Sequence, residues 1–234
     1  MNNRVVTAAR LNVVDAKVRL GMPWLVVGAA FLINLLIFVL VRSNVGETGP
    51  EYTGALAALY ISMAAAYIQT MTQTFPFALS LGLTRRHFYL GVSLVVVMES
   101  LMHGVLLTVA LAIERATGGW GMDLNFFGVP FLVQSNPVLQ VVVYTVPLLA
   151  LGFLGLLAGT VFRRWGQIGV YTAAIGSTLV LGGLAVLITW QQWWGSVGEF
   201  FSATPDLALV GVYPLVLVVL AAAGGFLMVR RATP

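Results

Sequence analysis

The sequence predicts an all-α integral membrane protein with six transmembrane helices and both termini in the cytoplasm. The composition, the spacing of the apolar stretches and the distribution of basic residues each support this fold class. Of the 234 residues, 59% are hydrophobic and only 9% are charged, and the mean hydropathy is +0.96. Because a soluble domain carries about 25% charged residues, most of this chain is expected to lie in lipid.

The apolar stretches predict the number of membrane crossings. A helix crosses a bilayer core about 30 Å thick with roughly 20 apolar residues, and six stretches qualify. They cover residues 23–41, 55–74, 88–113, 138–162, 168–190 and 207–229, in a transmembrane domain of residues 23–234. Residues 1–22 are basic and lack the short apolar core of a signal peptide. They favour an amphipathic helix lying on the cytoplasmic leaflet, with a loosely ordered basic tail as the alternative.

The basic residues predict the orientation. Ten of the twelve Lys and Arg lie on one side of the predicted topology, and only Arg42 and Arg115 lie on the other. The ten are Arg4, Arg10, Lys17, Arg19, Arg85, Arg86, Arg163, Arg164, Arg230 and Arg231. Because cytoplasmic loops carry the excess of basic residues, both termini are expected inside. Six of the eight acidic residues are expected outside, namely Glu47, Glu51, Glu114, Asp123, Glu199 and Asp206.

Small residues and aromatic residues make two further predictions. Gly152, Gly155 and Gly159 recur on one face of the fourth predicted span, as in helices that approach each other closely in lipid. Residues 191–204, between the fifth and sixth spans, are rich in tryptophan and phenylalanine. This composition favours a re-entrant or surface-lying helix, although aromatic residues at a membrane boundary also form an ordinary interfacial belt.

The stretch "FPFALSLGLTRRH", residues 75–87, interrupts the apolar pattern between the second and third spans. Pro76 suits the first turn of a helix, Gly82 suits its end, and Thr84 suits the N-cap of the third span. The stretch therefore predicts a short helix lying across the membrane surface. Its large apolar residues need a partner, either lipid or another protein; they are Phe75, Phe77, Leu79 and Leu81.

This segment, the six spans and the basic N-terminal segment together resemble an ABC-2 type permease, the membrane subunit of an ABC exporter, of a kind seen in actinobacteria. The resemblance covers nearly the whole chain in layout, but in residues it depends mainly on this one segment. It implies that the segment is a coupling helix, which docks on a separate ATPase subunit, and that residues 191–204 are re-entrant. The implied ATPase contacts are Phe75, Pro76, Leu79, Leu81, Gly82, Arg85 and Arg86.

The resemblance also implies the partners and the activity. The chain has no G-x-x-x-x-G-K-[ST] motif, and Lys17 is its only lysine, so ATP and Mg²⁺ would be bound by two copies of the ATPase. A second permease subunit, identical or different, would complete the transporter in a bacterial cell membrane. The expected activity is outward transport of an amphipathic or lipid-like compound. No metal, resident cofactor or nucleic acid is expected to bind this chain.

Ionisable residues within the third predicted span mark a second candidate site. Glu99 and His103 lie four residues apart near mid-bilayer, where a charge costs at least about 2.5 kcal/mol. Glu99 is therefore expected to be protonated or paired, with His103 as the nearest candidate partner. Polar residues of the second span are expected near this pair or on the same route, namely Tyr60, Tyr67, Gln69 and Gln73. Two interpretations stay open: a translocation path or gate, and a hydrogen-bonded clamp between the two spans.

Two other function classes fit the hydropathy. A proton-coupled secondary carrier would use Glu99 and His103 as a relay, but it would not explain the apolar segment at residues 75–87. A non-transporting membrane subunit fits the composition equally well. An intramembrane enzyme is disfavoured, because two histidines and no cysteine leave few residues for a nucleophile–base pair or a set of metal ligands.

Overall fold

The computed structural model describes residues 5–9, 16–46 and 51–230, and these residues are mainly helical. The helices are α1 (residues 5–9), α2 (Ala16–Val45), α3 (Ala57–Gln69), α4 (Phe75–Ser80), α5 (Arg85–Ala116), α6 (Pro137–Trp190), α7 (Trp194–Ala203) and α8 (Tyr213–Val229). Two short strands, β1 (Glu51–Tyr52) and β2 (Leu124–Asn125), pair in parallel with Glu51 opposite Leu124.

Within the described part of the chain, four helices are long and apolar enough to cross a membrane. They are Leu20–Asn44, Arg85–Ala116, Pro137–Trp190 and Ala208–Val229. The membrane character that the composition predicts is thus supported, and each predicted apolar stretch is largely helical. The second stretch falls in α3 and the π-helical turn Thr70–Thr74 that follows it. The fourth and fifth stretches share the single helix α6.

The N-terminal region is described at residues 5–9 and from residue 16 onward. The helix α2 begins at Ala16 and runs through Pro23 without a break, so residues 16–22 belong to the first long helix. The methyl group of Ala8 in α1 is fully buried, and a Cβ added to Gly91 of α5 would lie 2.7 Å from it. At least this part of the segment therefore packs on α5. Arg4, Arg10, Glu47 and Arg231 lie outside the described residues.

The first half of α6 is the centre of the packed core. All the buried residues of α6 lie between Gln140 and Thr160, where it packs on α3, α5 and α8. The predicted glycine face is the face that contacts α3: a Cβ on Gly155 would lie 2.5 Å from the carbonyl oxygen of Ala64. The carbonyl oxygen of Ile68 lies 3.0 Å from the corresponding position on Gly159. Backbones this close require glycine at both positions.

The second half of α6 makes few contacts with the rest of the described chain. Gly166 divides the helix with φ 65° and ψ −156°, a backbone conformation that essentially only glycine adopts. After it, every residue from 171 to 187 is exposed. Residues 167–190 therefore form a helix whose apolar surface is open on all sides. The short helix α7 that follows is also exposed along most of its length.

Candidate functional sites

The predicted coupling helix corresponds to α4, which continues the line of α3. Pro76 has no N–H to bond the carbonyl four residues earlier, and the chain accommodates this with the π-helical turn Thr70–Thr74 rather than with a break. The helix ends in a Schellman motif, in which the N–H of Gly82 binds Leu79 O at 2.9 Å and the N–H of Leu83 binds Ala78 O at 3.1 Å. Gly82 has the positive φ of 81° that this motif requires.

The start of α5 agrees with the predicted N-cap. The Oγ1 atom of Thr84 accepts a hydrogen bond of 3.3 Å from the backbone N–H of His87, and its other contact, 2.7 Å long, is with Nδ1 of the same histidine. Thr84 has an extended backbone, as an N-cap residue should. The turn of four residues, 81–84, between α4 and α5 is therefore hydrogen-bonded at both ends.

The apolar side chains of α4 divide into an inner set and an outer set. Phe75 is fully buried and meets the ring of Phe88 at 5.2 Å between centroids. The expectation that Phe75 is exposed for a partner is therefore wrong, because its ring packs between α4 and α5. The exposed residues are Phe77, at 58%, and Leu81, at 57%. Leu79 is half-buried.

The other residues expected at this surface lie around it. Pro76 and Arg85 are half-buried, and Gly82 and Arg86 are exposed. A groove of about 490 Å³ runs beside the turn and is lined by Leu79, Leu83, Thr84, Arg85, Arg86 and Arg230. The surface thus combines exposed apolar side chains with arginines. Phe77, which the resemblance did not single out, is among its most exposed residues.

The intramembrane polar residues form a different arrangement from the predicted pair. The hydroxyl of Tyr67 on α3 donates a hydrogen bond to Oε2 of Glu99 on α5. His103 does not contact that carboxylate; its Nδ1 lies 2.6 Å from the backbone carbonyl oxygen of Glu99. The predicted side-chain pair between Glu99 and His103 is therefore wrong, since the histidine ring turns back along its own helix. A polar link between the second and third predicted spans does exist, through Tyr67.

His103 also connects α2 to this region. Its ring is fully buried and stacks on Trp24 with the ring planes 6° apart and the centroids 6.1 Å apart. Because a carbonyl oxygen only accepts, Nδ1 of His103 carries the hydrogen, and a neutral ring then leaves Nε2 as an acceptor. Nε2 of His103 and the indole N–H of Trp24 are both buried and have no hydrogen-bond partner in the part of the chain that the structure describes. The ring pair therefore offers one acceptor and one donor in the interior.

The remaining polar residues predicted for this site are not all gathered there. The hydroxyl of Tyr60 is buried and has no hydrogen-bond partner among the described residues, whereas Gln69 and Gln73 are exposed on the outside of the bundle. Ser100, one turn before His103, is also buried, and residues 5–9, 16–46 and 51–230 offer its hydroxyl no hydrogen-bond partner. Ser100 and Trp24 were missed from the sequence, because a single serine or tryptophan in an apolar stretch carries no pattern.

At the other end of the bundle, Glu114 is buried although the topology predicts it outside the membrane. Only 2% of its surface is exposed. Its carboxylate accepts hydrogen bonds from the backbone N–H groups of Phe126, Phe127 and Gly128 at 2.8–2.9 Å. The indole N–H of Trp120 donates a fourth, at 3.1 Å. The loop between α5 and α6 is thus folded around one carboxylate.

Aromatic rings complete this loop. Phe31 of α2 packs edge-on against Trp120 at 4.8 Å and against Phe126 at 5.2 Å. The hydroxyl of Tyr144 in α6 donates a hydrogen bond of 2.7 Å to the carbonyl oxygen of Phe127. The aromatic residues that an interfacial belt would leave at the surface are therefore partly internal here. They join α2, α5 and α6 at this end.

Comparison with protein-family models, with curated proteins and with solved structures found no match to this chain. The candidate sites therefore depend on the residues and their geometry. Three arrangements could act chemically or mechanically: the exposed apolar surface of α4 with its arginines, the Tyr67–Glu99 link with the His103–Trp24 pair, and the loop around Glu114.

Proposed function

We propose that this chain is the membrane-spanning permease subunit of an ATP-driven exporter. The observation that carries the proposal is the surface at α4: Phe77 and Leu81 are exposed, and Arg85 and Arg86 line a groove that Leu79 of α4 also lines. Apolar anchors surrounded by basic side chains suit a protein partner, and the ATPase subunit supplies the nucleotide site. Two copies of that ATPase, with ATP and Mg²⁺, would dock on two permease subunits.

The connections of α4 support a role in transmitting movement. It is continuous with α3 through the π-helical turn, and the Schellman motif and Phe88 join it to α5. A force on Phe77 and Leu81 would therefore reach both helices together. Glu99 and Tyr67 link the same two helices deeper in the bundle. Closure of the ATPases on ATP would move this pair of helices and open or close a route between subunits.

The proposed topology has six spans and cytoplasmic ends. Gly166 divides α6 into two parts, residues 137–165 and 167–190, each longer than the roughly 20 residues that a crossing needs. The remaining span, the second along the chain, is α3 with its π-helical turn. Arg85, Arg86, Arg164 and Arg230 line adjoining grooves, in agreement with a single cytoplasmic end. The membrane is then a bacterial cell membrane, and the cargo is an amphipathic or lipid-like compound moving outward.

Charge substitution on α4 tests the proposal. Phe77→Asp and Leu81→Asp place a carboxylate in the docking surface, and we expect each to abolish co-purification of the ATPase and export, while the chain still folds. Leu79→Asp should act in the same way, but Leu79 is half-buried and its substitution also affects folding. The matched control is Phe131→Asp, because Phe131 is equally exposed, at 57%, near the opposite end.

The results separate the function classes. Loss of the ATPase only in the α4 variants supports the docking role. A well-folded protein that co-purifies no ATPase from its native membrane contradicts it, and leaves the proton-coupled carrier and the non-transporting subunit. Normal ATPase binding and export in both α4 variants would place the docking surface elsewhere.

The proton-coupled carrier is the second candidate, because an intramembrane carboxylate is hydrogen-bonded to Tyr67 and a buried histidine lies one turn away. In this case Glu99→Gln, which cannot release a proton, should abolish pH-driven uptake into vesicles without ATP. If the chain is instead part of an ATP-driven exporter, wild-type vesicles without ATP already show no uptake, so Glu99→Gln causes no further loss. If Glu99→Gln folds, binds its ATPase and exports normally, Glu99 is only a clamp between helices.

A further inference from the structure

Three helix ends converge around one arginine at the end of the bundle that carries α4. An open groove of about 470 Å³ is lined by Arg164, Leu227, Met228 and Arg230. Arg230 also lines the neighbouring groove with Arg85 and Arg86. Guanidinium groups therefore meet in one region from three helix ends: the start of α5, the end of α8 and the end of the first half of α6. We refer to the groove lined by Arg164, Leu227, Met228 and Arg230 as the basic groove.

Among the described residues, no acidic side chain pairs with the positive charge in this region. None of Arg85, Arg86, Arg164 and Arg230 makes an ion pair or a side-chain hydrogen bond in the described structure. The Nε atom of the adjacent Arg163 is buried and has no acceptor either. Like charges held close together repel unless an anion lies between them. The arrangement therefore favours an anionic ligand.

Aromatic rings hold the two arginines of the basic groove in place. The guanidinium carbon of Arg164 lies 4.5 Å from the ring centroid of Trp165, and that of Arg230 lies 6.0 Å from the ring centroid of Phe226. Stacking engages the face of a guanidinium group and leaves its N–H edge free to bind oxygen atoms. Planar N–H donors in this state match the oxygens of a phosphate group.

The apolar wall of the groove selects among anions. Leu227 is 59% exposed and, with Met228, lies on α8 directly before Arg230. On a membrane-crossing helix such exposed side chains contact acyl chains. A ligand that contacts both the arginines and this apolar wall carries a phosphate at one end and hydrocarbon at the other. Basic pockets between helices on the cytoplasmic side of membrane proteins bind anionic lipid head groups.

We propose that the basic groove binds an anionic glycerophospholipid, with the head-group phosphate between Arg164 and Arg230 and an acyl chain along Leu227 and Met228. The site shares Arg230 with the groove beside α4, whereas Arg164, Leu227 and Met228 line only the basic groove. It requires neither an ATPase nor transport. The bound lipid would neutralise the helix ends and hold the first half of α6 against α8.

Binding of defined lipids to the purified chain in detergent, followed by native mass spectrometry, tests the proposal. Dioleoyl phosphatidylglycerol should bind more tightly than dioleoyl phosphatidylcholine by roughly 25-fold, because each arginine strengthens anionic lipid binding roughly fivefold. Arg164→Gln and Arg230→Gln should each remove roughly one fivefold factor, and the double variant should bind the two lipids equally. The matched control is Arg115→Gln, since Arg115 is exposed at the opposite end and should leave the preference unchanged.

Three results would overturn the proposal. Equal binding of the two lipids by the wild-type chain removes the charge selectivity, and an unchanged preference in the double variant places the lipid elsewhere. Inorganic phosphate that raises the unfolding temperature as much as phosphatidylglycerol does identifies a soluble-anion site instead. The variant Arg164→Lys/Arg230→Lys, which keeps the charges, should retain most of the preference, so that loss of fold and loss of charge are distinguished.

Discussion

At the scale of single residues, Glu114 has a structural role that its place in the sequence does not suggest. A buried carboxylate is stable only when it is paired or hydrogen-bonded, and here three consecutive backbone N–H groups and one indole N–H satisfy it. The loop between α5 and α6 lacks long regular elements, so these bonds determine its path. Glu114 therefore acts as the organising centre of this end of the molecule.

Substitution of Glu114 should release the loop. Glu114→Ala leaves three buried backbone donors without an acceptor, at about 1–3 kcal/mol each, so we expect the free energy of unfolding to fall by at least about 3 kcal/mol. Amide hydrogen exchange across residues 119–133 should accelerate strongly. Glu199→Ala is the control, because Glu199 is exposed on α7. Unchanged exchange in Glu114→Ala would show that the aromatic contacts alone hold the loop.

For the polar residues inside the bundle, the sequence predicts which residues are present but not which residues they contact. The presence of an ionisable pair four residues apart is visible in the sequence, and both residues do lie on α5. Their partners are not visible there, because Glu99 bonds Tyr67 on one neighbouring helix while His103 stacks on Trp24 of another. The side chain of each residue is directed to a different neighbour.

At the scale of elements, the contact between α3 and the first half of α6 depends on glycine. The carbonyl oxygen of Ala64 lies 2.5 Å from where a Cβ on Gly155 would be. Lipid provides no hydrophobic force that drives helices together, so close backbone packing must supply the attraction. The glycine face was recognised in the sequence, but the facing residues were not, since α3 contacts it with Ala64, Ile68 and Met71.

A side chain at Gly155 should separate these helices. We expect Gly155→Leu to lower the free energy of unfolding in detergent by about 1–3 kcal/mol, as overpacking does in tightly packed cores. Gly198→Leu is the matched control: it makes the same change in the exposed helix α7, and nothing lies within 4 Å of the added Cβ. Thermal unfolding followed by circular dichroism measures both. Equal unfolding temperatures for the two variants would contradict the packing interpretation.

At the scale of the whole molecule, the described structure is asymmetric. The first half of α6, α3, α5 and α8 form a packed core, while residues 171–187 are exposed all round. In a monomer that helix would contact only lipid. The proposed exporter needs a second permease subunit, and this helix offers it an unused apolar surface. Its small residues, which include Gly176, Gly182 and Gly183, would allow close approach.

Cross-linking can measure whether two copies meet at this helix. The chain contains no cysteine, so single cysteines placed in turn at positions 173–187 have a clean background. If identical subunits pair here, oxidation should give a disulfide-linked dimer at every third or fourth position, following one helical face. Met98→Cys is the control on α5, because Met98 is exposed near mid-helix. Absence of dimer throughout the series would exclude this helix as a homodimer interface.

From the sequence alone it was possible to predict the membrane environment, the approximate helix positions, the end of α4 at Gly82 and the N-cap at Thr84. These features depend on composition, on hydropathy over a window and on local backbone chemistry, so no distant residue is needed to predict them. The helix α2 extends further towards the N-terminus than the apolar stretch at residues 23–41, because Pro23 lies inside it and the backbone is helical from Ala16.

The side of each helix that faces inward is visible only in the folded molecule. In a soluble protein the polar stripe of a helix marks its exposed face, but in lipid both faces are apolar and the rotation of the helix leaves no pattern. Phe75 and Phe77 are indistinguishable in the sequence, yet one is buried against Phe88 and the other is exposed. The partners of Glu99, His103 and Glu114 depended on the same helix rotations and on the path of one loop.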